Sequence, residues 1–79
     1  MTADVEQTLA EIFDLVLAKR VSAGEEVARE DTPAWDSLKH LEIIFAVESA
    51  FEVSFTPDEM AAVRSLGDIR RKLMAADAP

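Results

Sequence analysis

The run SLKHLEIIFAVESAF, from Ser37 to Phe51, is rich in large apolar side chains. At about 100° per residue, Leu41, Ile43, Ile44, Phe45, Val47 and Phe51 cover an arc of roughly 200°. A helix lying on a protein surface needs a narrower stripe than that. This one is expected to be surrounded by other helices, with a polar strip at Lys39, Glu42 and Ser49. The enclosing elements have to come from a short chain, since 79 residues make one small domain, 1–79. Only two glycines and three prolines interrupt it, so long regular elements are expected.

Three further helices can be read around it. Val5, Leu9, Ile12, Phe13 and Val16 recur at helical spacing and predict a first helix over about 4–19. Thr2 or Asp4 is its candidate N-cap, with Asp4 and Gln7 as a capping box, and Lys19 and Arg20 at the end where cations suit the dipole. The stretch RVSAGEEVAREDTPAWD has no sustained period and reads as a long loop with room for one short turn. The second helix starts at Asp36 or Ser37, where the Asp36 carboxylate can cap unpaired N–H groups. In FTPDEM, Thr56, Pro57 and Glu59 make a capping box with proline in its favoured slot, predicting a third helix over about 57–63. Ser65 can cap a fourth helix carrying Leu66, Ile69 and Leu73, with RRK at 70–72 toward the dipole's negative end. FEVSF alternates like a strand but has no partner strand, so the expected fold is all-α, a four-helix bundle.

Composition excludes several classes. The net charge of −8 makes nucleic acid an unfavourable partner, because phosphates would be repelled. The charge is uneven: −5 over residues 1–35, −5 over 36–63 and +2 over 64–79. There is no cysteine, hence no disulfide framework or thiolate metal site. The residues from Asp31 to Glu42 have the length of an EF-hand loop, but Pro33 and Trp35 stand where oxygen ligands are needed. The opening residues lack the pattern of a signal peptide, and no window approaches the roughly 18 apolar residues of a membrane span. The expectation is a soluble, cytoplasmic, monomeric protein with no metal.

Ser37, at the mouth of the apolar helix, has three readings. With Asp36 and the single histidine, His40, it superficially supplies a nucleophile, a base and an orienter within five residues. All three would hang from one exposed helix start with no second wall, the imidazole on a flexible surface side chain, so hydrolysis is disfavoured. The second reading is purely structural, since serine and aspartate are common at helix starts. The third is attachment: the hydroxyl is exposed there, and the first-turn N–H groups and dipole favour a phosphodiester.

The segment DSLKHLEIIFAVESAFEVSF resembles the second helix of acyl carrier proteins, in which an Asp-Ser-Leu triplet marks the serine that receives 4′-phosphopantetheine. The resemblance extends to the amphipathic first helix, the long loop, FTPDEM and SLGDIRRKL, in order and over essentially the whole chain. It implies a carrier domain with no catalytic group of its own. A phosphopantetheinyl transferase would load Ser37 from coenzyme A, and acyl or aminoacyl groups would then ride as thioesters to partner enzymes of fatty-acid, lipid, polyketide or related biosynthesis. Asp36 and Leu38 would help the transferase dock, Leu38 also packing inward. Glu42 and Glu48 would meet basic patches on loading ligases or synthases. Lys39 and His40 depart from the acidic residue usual early in this helix, which implies a specialised member rejecting general partners by like charge. The wide apolar arc, with Phe45 and Phe51 on it, suggests an interior that opens for an acyl chain. A different class remains beside this one, a small acidic helical interaction module without a prosthetic group.

Overall fold

The computed structural model describes residues 2–77, with side chains from 5 to 75. Its elements are α1 (Thr2–Leu17), a 3₁₀ turn (Arg29–Asp31), α2 (Ser37–Phe51), α3 (Pro57–Ala62) and α4 (Leu66–Asp77). Among the described residues there are four α-helices and no strand, so FEVSF is not one. No described helix is long and apolar enough to cross a membrane. The side chains of Thr2 and Asp4, expected as caps of α1, lie outside the described residues.

The helix boundaries follow from local chemistry. α1 stops two residues short of the expected end because Ala18 turns left-handed (φ 55°). Asp14 Oδ2 accepts the Val21 N–H at 3.3 Å, and the buried Val21 draws the chain back, which leaves Lys19 and Arg20 beyond the helix. α2 begins where the Asp36 carboxylate accepts Lys39 N–H at 2.9 Å and ends at left-handed Glu52 (φ 55°). α3 has its reciprocal capping box, Thr56 with Glu59, and Pro57 at the first position. At the start of α4, Ser65 Oγ accepts Asp68 N–H at 3.2 Å.

The long loop is fastened rather than loose. Val27 O accepts Leu66 N–H at 2.9 Å and Arg64 O accepts Arg29 N–H at 2.8 Å, joining the loop to the α3–α4 connection. Glu26 Oε1 accepts Gly67 N–H at 2.8 Å. Val21, Val27, Thr32 and Trp35 are buried, so the loop contributes part of the core. Leu9, Phe13, Ile43, Ile44, Val47, Leu66 and Ile69 are its fully enclosed centre, with α1 packed on both α2 and α4.

Two expectations are corrected here. The basic run 70–72 does not serve the dipole of α4, because it sits in the body of the helix and none of it in the last turn. Arg70 pairs with Glu6 on α1, Arg71 with Asp68, and Lys72 with Glu59 on α3. Nor is α2 enclosed all round. Leu41 is 42% and Phe45 58% exposed.

Candidate functional site

Asp36, Ser37 and Leu38 come together at an exposed corner where the loop enters α2. Asp36 is the residue that caps the helix, so the Ser37 hydroxyl is not spent on capping. The next backbone donor, His40 N–H, reaches Asp36 O at 2.8 Å. Helix geometry leaves the amides of Ser37 and Leu38, ahead of these two, without carbonyl partners inside α2. An exposed hydroxyl therefore stands at the electropositive end of a 15-residue helix.

Leu38 does not pack inward. It is 64% exposed, at a wheel position opposite the buried set His40, Ile43, Ile44 and Val47. With Leu41 and Phe45 it forms a stripe at positions i, i+3 and i+7, running about 10 Å along the helix from Leu38 at 1.5 Å per residue. The spacing was visible in the sequence. Which side of the helix stays uncovered was not, because residue type alone does not say.

The charged candidates are placed differently from one another. Glu42 is exposed on the outer face, and Lys39 Nζ lies 3.6 Å from its Oε1 as an exposed i, i+3 pair. Glu48 Oε2 accepts Phe55 N–H at 2.8 Å, which ties the end of α2 to the turn before α3 and gives this expected docking carboxylate a structural partner as well.

His40 is the other correction. It is buried, at 7% exposure, instead of lying on the surface. Trp35 Nε1–H donates to its Nδ1 at 3.0 Å, and its Nε2 lies 2.8 Å from Met60 O. Both ring nitrogens are engaged, so His40 has no lone pair to offer Ser37 as a base. Phe13 packs edge-on against Trp35, with ring centroids 5.2 Å apart and planes at 78°, completing this knot of loop, α1, α2 and α3. The lone tryptophan just before Asp-Ser and the lone histidine five residues later were the available signal for it. Among the described residues no three His, Cys, Asp or Glu side chains gather as a metal site.

No protein-family model, no curated protein and no solved structure matches this chain.

Proposed function

We propose that this chain is an acyl carrier domain, tethering 4′-phosphopantetheine through Ser37 Oγ and presenting acyl or aminoacyl groups to partner enzymes. The observation that carries this reading is the position of Ser37: exposed, first in α2, beside Asp36 that does the capping in its stead. The surroundings fit a phosphodiester, because the first-turn amides and helix dipole favour negative charge. Asp36 and Lys39 lie close enough to hold the first turn firm, their carboxylate and N–H joined at 2.9 Å. When bound, the arm supplies a thiol for thioester linkage. Everything else is this chain's own work: holding the hydroxyl outward, keeping the helix start rigid and offering a surface for docking.

That surface is Leu38, Leu41 and Phe45 with Glu42 at its edge. Apolar side chains exposed in a row favour protein contact, and here the row begins next to the hydroxyl. Glu42 remains the candidate for a basic residue on a loading ligase, synthase or transferase. The fully enclosed Ile43, Ile44 and Val47 would have to part for an acyl chain to shelter inside, so we assign the carrier's recognition to the outer face.

The test is intact mass after incubation with coenzyme A, magnesium and a broad-specificity phosphopantetheinyl transferase. One adduct is expected on the wild type and none on Ser37→Ala. No adduct on either would overturn the carrier reading in favour of an acidic helical interaction module.

A further inference from the structure

An indole N–H only donates, so the imidazole nitrogen it meets must carry no proton. That nitrogen is His40 Nδ1, 3.0 Å from Trp35 Nε1. The proton of the neutral ring is then on Nε2, donated to the Met60 carbonyl at 2.8 Å. The ring has one acceptor and one donor, and each is used. A second proton has a single place to go, the nitrogen that holds Trp35.

The consequence is one-sided. With Nδ1 protonated, two N–H groups face each other and the Trp35 bond is lost, while Nε2–H still donates to Met60 O. The two rings lie near parallel, 25° apart with centroids at 5.9 Å. Protonation thus releases the loop from α2 but leaves α3 attached.

The charged groups around this knot are committed elsewhere. On the loop, Arg29 Nε donates to Trp35 O at 3.3 Å. At the start of α2 the Asp36 carboxylate holds Lys39 N–H, and Lys39 and Glu42 pair with each other. On α3, Glu59 beside Met60 takes Thr56 N–H and Lys72 Nζ of α4. From α1 the group facing Trp35 is the uncharged ring of Phe13. What remains on a released Trp35 is its own N–H bond to Thr32 O at 2.9 Å, the Arg29 contact and the Phe13 edge.

We propose that His40 is a proton-operated latch on the segment 32–36, closed when the imidazole is neutral and open when it is charged. Because Trp35 is two residues from Ser37, opening the latch loosens the approach to that hydroxyl and makes its modification pH-dependent. This last step rests on the carrier reading; the latch does not.

The chain has one tryptophan and no tyrosine, so its ultraviolet emission reports Trp35 alone. Acidifying from about pH 8 to about pH 5 spans the range in which imidazoles gain their second proton. A red shift and stronger acrylamide quenching are expected, with far-UV circular dichroism unchanged. The ¹⁵N resonance of His40 Nδ1 should pass from the bare to the protonated position with the same midpoint. His40→Asn, whose side-chain oxygen can take the indole N–H without titrating, should be flat; if that variant folds poorly, the nitrogen resonance of the wild type still decides. An Nδ1 still bare at the acid end, constant emission while it protonates, or a shift coincident with loss of helix would each overturn the latch. The rate of Ser37 adduct formation should then differ several-fold between the acid and neutral ends when divided by the rate for His40→Asn. A constant ratio overturns the regulation of Ser37. No adduct on either protein refutes the carrier reading alone, since emission reads the latch without it.

Discussion

Glu48 distinguishes a structural carboxylate from a docking one. Its carbonyl accepts Val53 N–H at 3.2 Å and also the Glu52 N–H, while its side chain accepts Phe55 N–H at 2.8 Å. One residue therefore steers the chain out of α2 and seats Phe55, which is 8% exposed with Lys72 Nζ 5.4 Å from its ring centroid. Glu48→Ala removes a hydrogen bond to a charged group, worth about 1.5–3 kcal/mol where water is excluded. The site is only part-buried, so water can reach the freed N–H and the lower end applies. Alanine's better helix propensity returns a few tenths of a kcal/mol. The expected net loss is about 1 kcal/mol, which in a domain of this size lowers Tm by roughly 4–8 °C. Glu48→Gln keeps an acceptor oxygen and should lose less. Glu42→Ala breaks only an exposed pair and should stay within about 0.5 kcal/mol of wild type. Calorimetry and the rate of Ser37 adduct formation, measured on all three, separate the roles. A Glu48→Ala protein that melts with the wild type but is modified as slowly as Glu42→Ala would refute the structural assignment.

Phe45→Ala should leave stability within about 0.5 kcal/mol, as for most surface substitutions, yet raise the transferase KM about five- to tenfold if the side chain is an interface anchor. Leu15→Ala, 82% exposed on α1, is the control, and an unchanged KM for Phe45→Ala would remove the stripe from docking. Ile43→Ala, at a fully enclosed site, should cost about 2–5 kcal/mol through the cavity it leaves, read from the urea midpoint. The Glu59 carboxyl is held below its ordinary value of 4.5, first by the Thr56 backbone N–H and then by Lys72. A carboxyl lowered on folding stabilises above its ordinary value and loses that contribution as pH falls through the folded one. Glu59→Gln should therefore melt below wild type near neutrality and converge with it once pH has fallen through the lowered value.

Four helices in their order, the capping box of α3, the Asp36 cap and the exposed Ser37 were legible because each rests on spacings of three or four residues. Thr56 with Glu59 is one such pair, and Asp36 with Lys39 another. The ends of α1 were less so: its last turn is cut by a left-handed Ala18, a conformation that alanine does not advertise. The outward Phe45 was misread for a different reason. Counting apolar types around a wheel measures how much surface could be buried, not how much covering is at hand.

Chemistry within one turn of helix thus came directly from the order of residues, since a cap or a periodic face needs no distant partner. The fates of His40, Glu48 and Arg70 did not. They depend on Met60, Phe55 and Glu6, which lie 20, 7 and 64 positions away along the chain. A polar side chain is buried or free according to whether a matching group arrives from elsewhere, and that arrival is a property of the packed helices.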